Sequence, residues 1–244
     1  MKAALLILWM LLPVAVVSQQ SIIVYRTADD ITVGIDGNHP PSTKPSTTQI
    51  GVSPGSDQPF AKEKNYYFVI AGIQNERMRL AAVQSCREAR TLAEVLMLYK
   101  EKTTKTFAED IYNCKLYYPE YYRNAVLNKY NLSIAFFGIE NDTLKAAKLE
   151  FYIKDKINGG ITIETSTWLV PGKNKMAASG MALGKKDAFT SIEVSSPEIN
   201  SDPMKEIERL MRKQIKSTGG MTGFPIQIIT LKKDQTPDLL NIYY

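Results

Sequence analysis

Short runs of apolar residues separated by polar turns predict a chain built mainly of β-strands. Residues 21–27 and 31–36 form the first pair of runs, which are rich in β-branched side chains and joined by the turn Ala28-Asp29-Asp30. Further runs fall, in chain order, at residues 66–71, 132–138, 145–153, 161–169, 176–182 and 225–231. Because several of these runs are joined by short polar turns, the spacing favours antiparallel pairing.

Three stretches instead carry apolar residues at three- and four-residue spacing, which is typical of amphipathic helices. They cover residues 75–99, residues 106–128, where Pro119 breaks or kinks the helix, and a helix that opens at Asp202-Pro203. The apolar face of the last helix is made of Met204, Ile207, Met211 and Ile215.

This order of strands and helices predicts a single α+β domain over residues 19–244. Two antiparallel sheets packed face to face, with helices on their outer faces, would bury every apolar face, and a single sheet with helices on one side is the alternative. Residues 37–60 are rich in proline, serine and threonine, so they are predicted to form a long surface loop with a brief strand near residues 50–52.

The first residues have the character of a secretory leader. Lys2 precedes an apolar run that is shorter than the roughly 20 residues of a membrane-spanning helix, and small residues follow at once. Val16 and Ser18 suit the −3 and −1 positions of a cut after residue 18. We therefore expect residues 1–18 to be a signal peptide, the mature chain to be secreted or periplasmic, and no membrane span to remain in it.

Charge and reactive residues exclude several classes of function. The net charge is +5, but its 30 basic residues are spread among 25 acidic ones, so nucleic-acid binding is not expected. The single histidine, His39, makes a Ser-His-Asp or Cys-His hydrolase and a zinc site poor interpretations. Cys86 and Cys114 would either form one disulfide or remain as buried thiols.

Three motifs resemble those of proteasome β-subunits and related N-terminal nucleophile (Ntn) hydrolases, especially the exported bacterial proteasome-like proteins. They cover about residues 21–230. The first is the opening hairpin from Ser21 to Asp36-Gly37, and the second is Lys62 followed by the strand that ends at Ala71-Gly72. The third is the helix opening at Asp202 with the glycine-rich segment and strand that follow it, 219–230.

The resemblance implies a four-layer αββα sandwich and an amide-bond hydrolase of peptidase type that needs no cofactor or metal. In such enzymes the N-terminal residue attacks a carbonyl, and its own α-amine acts as the general base. By position, Ser21 would be the nucleophile, Asp36 the carboxylate, Lys62 the lysine and Gly72 the oxyanion donor. A peptide or amide substrate is expected, as is assembly of copies into a homo-oligomer such as a ring or dimer.

A leader cut after residue 18 leaves Gln19 and Gln20 ahead of Ser21, so a free Ser21 amine requires a second trimming step. The second hypothesis is therefore a catalytically inactive Ntn-fold protein that acts in binding or self-association in the periplasm or outside the cell. A third interpretation, a carbohydrate or lipid binder of the cell envelope, rests on export and tyrosine content alone.

Overall fold

A computed structural model describes residues 21–37, 61–72, 76–171, 178–184, 201–217, 223–233 and 235–243. The strands are β1 (Ser21–Arg26), β2 (Asp30–Gly37), β3 (Ala61–Glu63), β4 (Tyr66–Gly72), β5 (Tyr130–Glu140), β6 (Thr143–Asp155), β7 (Ile161–Val170), β8 (Ser179–Gly184), β9 (Gly223–Lys232) and β10 (Asp238–Ile242). The helices are α1 (Glu76–Glu88), α2 (Leu92–Tyr117), the single turn α3 (Pro119–Tyr121) and α4 (Pro203–Ser217), and a π-turn covers Tyr122–Val126.

The strands form two five-stranded antiparallel sheets. The first sheet has the order β10-β9-β2-β1-β8, and the second has the order β3-β4-β5-β6-β7. All the strand pairs within them are antiparallel. The prediction of two antiparallel sheets is confirmed, and the alternative of a single sheet is wrong.

Three clusters of buried apolar side chains show how the sheets and helices pack. The central cluster combines residues of both sheets, such as Ile22 and Val24 of β1 with Val69 of β4. A second cluster packs α1 and α2 against the second sheet, and a third packs α4 against the first sheet. This arrangement is compatible with a sandwich.

The β1–β2 hairpin forms because its turn satisfies its own backbone groups. The Thr27 hydroxyl accepts hydrogen bonds from the backbone N–H groups of Asp29 at 3.2 Å and Asp30 at 3.0 Å, and the Thr27 N–H donates to the Asp30 carbonyl at 2.9 Å. This turn fixes a register in which Ile22 lies opposite Ile35. The start of β1 is thereby brought to the end of β2.

The boundaries predicted for the first two helices are wrong. The structure ends α1 at Glu88 and starts α2 at Leu92, where the side chain of Thr91 caps the helix by accepting from the Glu94 N–H at 3.2 Å. The second helix thus begins well before residue 106. Pro119 acts as predicted, because α2 ends at Tyr117 and a new short helix begins at the proline.

The last helix agrees with its sequence signals. The Asp202 carboxylate accepts from the Lys205 N–H at 3.2 Å, and Ile207 and Met211 are buried against the first sheet. The helix approaches so closely at Gly34 that a Cβ there would lie 2.2 Å from Cγ2 of Ile207.

The described residues also bear on the edge strands, the cysteines and the expected absence of a membrane span. Strands β3 and β10 were not predicted. Cys86 and Cys114 are both free thiols, and Cys86 is buried. Within the described ranges, none of the helices combines the length and apolar character needed to cross a bilayer. The predicted signal peptide, most of the predicted loop 37–60 and His39 lie outside the described residues.

Candidate functional site

The structure joins Ser21 and Asp36 by a direct hydrogen bond. The backbone N–H of Ser21 donates to Oδ1 of Asp36 at 2.7 Å, and both residues are wholly buried. The pairing of β2 with β9 shifts between Ile35 and Gly37, so Asp36 falls at an irregularity in the ladder. The Asp36 carboxylate receives the first N–H of β1.

The hydroxyl of Ser21 adds an unusual feature to this pair. Among the residues that the structure describes, Oγ of Ser21 is buried and has no hydrogen-bond partner. Oγ1 of Thr230 is another example in the described part of the chain. A buried hydroxyl without a partner is unfavourable by about 1–3 kcal/mol, so each such group calls for an explanation. The pair is therefore a better candidate for chemistry than an ordinary strand start would be.

Gly72 ends β4 in the second sheet, and its backbone explains why glycine is required there. Its φ is +97°, and a Cβ at this position would lie 2.2 Å from the carbonyl oxygen of Asn131. Gly72 lies opposite Leu132 of β5.

Lys62 lies on the edge strand β3, opposite Tyr67 of β4. Its side chain is exposed, and its ammonium nitrogen lies 5.5 Å from the centre of the Tyr67 ring. Tyr67 and Gly72 are five residues apart on one strand, which is about 17 Å at the usual rise per residue. Lys62 and Gly72 therefore lie at opposite ends of β4, and they do not flank one reacting group.

A largely buried ion pair on β6 was not predicted from the sequence. The Lys148 ammonium lies 2.7 Å from the Glu150 carboxylate, and their side chains are 18% and 4% exposed. They alternate with Leu149 and share a face of β6 with Ala146, which belongs to the core between the sheets. Glu150 lies opposite the buried Ser133 of β5. Two charged residues at inward positions of an apolar strand were the available signal.

Burial keeps two further ionisable side chains, Cys86 and Tyr66, in their neutral form at neutral pH. Burial raises the pKa of the Cys86 thiol to about 12, so a reactive thiolate is disfavoured at neutral pH. Burial, followed by the nearby Glu140 carboxylate, also raises the pKa of Tyr66 to about 12. Across the described ranges, no group of three or more His, Cys, Asp and Glu side chains could hold a metal ion.

The chain matches no protein-family model, and it matches no curated protein.

Proposed function

We propose that this protein is an exported, proteasome-like Ntn-fold protein that hydrolyses amide bonds through Ser21. The observation that carries the proposal is the 2.7 Å hydrogen bond from the Ser21 nitrogen to Asp36. In the full chain this nitrogen is a peptide nitrogen. Removal of residues 1–20 would turn it into an α-amine already held beside a buried carboxylate.

The chemistry follows from that geometry. The α-amine of an N-terminal serine lies within reach of its own hydroxyl, so it can accept the hydroxyl proton as Oγ attacks a substrate carbonyl. The same amine then donates the proton to the leaving amine, and an ester to Oγ remains. A water molecule, deprotonated by the amine, hydrolyses this ester and restores the enzyme. Asp36 acts as a positioning residue because it fixes the amine.

The layer order supports the fold part of the proposal. Helices α1 and α2, the second sheet, the first sheet and α4 follow one another through the three apolar clusters. This is the order that a four-layer αββα sandwich requires.

The position of β1 across the second sheet indicates which groups could join Ser21. Arg26, at the far end of β1, donates from Nε to the Leu144 carbonyl at 3.0 Å. Ser21 lies five residues, or about 17 Å, from that point, and Ile22 and Val24 between them belong to the core between the sheets. With the two sheets aligned, we infer that Ser21 lies towards the Gly72 end of β4 and away from Lys62. Lys148 and Lys154 share the face of β6 that carries Leu144, and Lys148, four residues from Leu144 along the strand, is the better candidate to lie beside Ser21.

The test compares the chain that starts at Ser21 with the full chain. A hydroxyl-reactive peptide electrophile should label the Ser21-initiated chain and not its Ser21→Ala variant, and Ser166→Ala, which removes an exposed hydroxyl, is the control. Lys148→Met should reduce the labelling rate, whereas Lys62→Met should leave it unchanged. Labelling that persists in Ser21→Ala would overturn the proposal, as would a Ser21-initiated chain that folds but reacts no faster than free serine.

A catalytically inactive protein is the second candidate, and two observations favour it. Ser21 has no exposed surface, and Lys62 lies at the end of β4 opposite to Gly72. Helix α2 also exposes large apolar side chains that suit self-association, namely Met97, Tyr112, Leu116 and Tyr117. The mass of the mature protein separates the candidates, because an N-terminal Gln19 supports the inactive form. Sedimentation of Leu116→Glu beside the unaltered protein would test the α2 surface.

A further inference from the structure

An open cavity of about 400 Å³ lies on the second sheet, and Ser21, Asp36 and Lys148 are not among the residues that line it. This volume falls within the range of small-molecule sites, which is roughly 300–1,000 Å³. Strands β5, β6 and β7 supply its lining, namely Tyr130, Tyr152, Lys154, Glu164, Thr165 and Ser166. Because the lining comes from paired strands, its side chains are held by the sheet itself.

Two tyrosine rings form the aromatic part of this cavity. Tyr130 lies opposite Tyr152 across the β5–β6 pair, and the ring centres are 5.1 Å apart at an interplanar angle of 65°. The pairing shifts next to Tyr130, between it and Leu132. Tyr130 remains 49% exposed, so part of its ring is available to a ligand.

The charged groups of the lining neutralise each other. Lys154 lies 2.8 Å from Glu164, and its ammonium nitrogen is 5.6 Å from the centre of the Tyr152 ring. About half of each charged side chain is exposed, at 47% and 52%. A ligand would therefore meet one cation and one anion that already compensate each other.

A hydroxyl group completes the lining. Ser166 is exposed and lies opposite Glu150, whose carboxylate is compensated by Lys148. Thr165 also lines the cavity, but it alternates with Glu164 and Ser166 along β7, so its side chain points to the other face of the sheet. The Ser166 hydroxyl can both donate and accept a hydrogen bond.

We propose that this cavity binds a neutral mono- or disaccharide. A pyranose ring presents a face of C–H groups that packs on an aromatic ring, and an edge of hydroxyls that pair with carboxylate, ammonium and hydroxyl groups. A strongly charged ligand would have to displace one member of the Lys154–Glu164 pair. A purely apolar ligand would bury these polar groups without partners. The inference needs neither Ser21 nor Asp36, so it stands independently of the proposed hydrolysis.

Calorimetric titration of the full chain with maltose, cellobiose and N,N′-diacetylchitobiose tests the proposal, with glucuronate and glucosamine as charged comparisons. At least one neutral disaccharide should bind with a Kd of about 1 mM or below. Tyr130→Ala should weaken that binding by about three- to tenfold. Tyr112→Ala, which removes an exposed tyrosine from α2, should leave it unchanged.

Glu164→Gln tests the polar half of the site. It keeps an oxygen acceptor but leaves Lys154 uncompensated, so binding of the anion glucuronate should increase relative to the neutral sugar. Absence of binding by all three neutral disaccharides would overturn the proposal. It would also be overturned if a charged sugar bound the unaltered protein more tightly, or if Tyr130→Ala and Tyr112→Ala behaved alike while both remained folded by circular dichroism.

Discussion

Replacement of Glu140 by glutamine should destabilise the protein in a manner that depends on pH. Glu140 ends β5, and its side chain is only 9% exposed. Its carboxylate accepts from the Leu92 N–H at 2.7 Å and from the Tyr66 hydroxyl at 3.3 Å, and it pairs with the Lys145 ammonium. Glu140 thereby fixes the start of α2 to the second sheet.

The ionisation of Glu140 gives the sign of the effect. Burial by itself raises the pKa of this carboxyl, but the hydrogen bonds from Lys145, Leu92 and Tyr66 outweigh it, so the pKa lies below its ordinary value of 4.5. A carboxyl whose pKa is depressed by folding stabilises the protein above its unfolded pKa. That contribution is lost as the pH falls through the folded pKa.

The magnitude follows from what glutamine retains. Its amide oxygen can still accept from Leu92, so the change replaces a charged hydrogen bond by a neutral one, a difference of about 1 kcal/mol. Loss of the partly exposed Lys145 pair adds up to about 1 kcal/mol. We expect Glu140→Gln to lower the free energy of unfolding by about 1–2 kcal/mol at neutral pH, which is a fall in Tm of about 2–8 °C.

Urea unfolding at neutral pH and again below the folded pKa of Glu140 measures this effect. Glu88→Gln is the matched control, because Glu88 forms an exposed ion pair with Lys102 and should change stability by no more than about 0.5 kcal/mol. The difference between Glu140→Gln and the unaltered protein should shrink in acid. Equal destabilisation at both pH values, or an effect no larger than that of Glu88→Gln, would refute the reasoning.

Three further predictions concern the core. Gly34→Ala should destabilise by about 1–3 kcal/mol because its Cβ meets Ile207, and the Gly34→Ala/Ile207→Ala double variant should lose less than the sum of the single changes in urea unfolding. Phe107→Ala should cost about 3–5 kcal/mol in the same assay, because Phe107 of α2 is wholly buried against the second sheet. Burial raises the pKa of both thiols, that of Cys86 to about 12, but only Cys114 is partly exposed. Cys114 should therefore react with Ellman's reagent in the native protein, whereas Cys86 should react only on unfolding.

The first hairpin could be predicted from the sequence because its information is local. Its apolar runs and the polar turn at Asp29 and Asp30 are all contained in 16 residues, 21–36. The break between α1 and α2 could not be predicted in the same way, because the apolar spacing continues through Ala89 and Leu92. What ends the periodic helix is the cap at Thr91 together with Glu140, which is distant in the sequence.

Strand β10 escaped prediction for a related reason. It is a short edge strand, Asp238–Ile242, with Leu239 and Leu240 each about two-fifths exposed, so no alternation of buried and exposed residues marks it. Strand β3 has only three residues and is defined by its pairing with β4. Each of these strands is defined by its pairing with the adjacent strand, so the pattern of its own residues does not predict it.

In the candidate site, the part contained in one hairpin could be predicted from the sequence, and the part that depends on distant strands could not. Ser21 and Asp36 meet because a hairpin turn and a register bring its two open ends together, and both can be inferred from adjacent sequence. The eleven residues from Lys62 to Gly72 contain a tight turn that folds β3 back on β4, so Lys62 lies at the far end of that strand from Gly72. A residue that completes the site must come from a strand whose inner face passes the start of β1. That requirement favours Lys148, which is distant from Ser21 in the sequence and visible only after the two sheets are placed together.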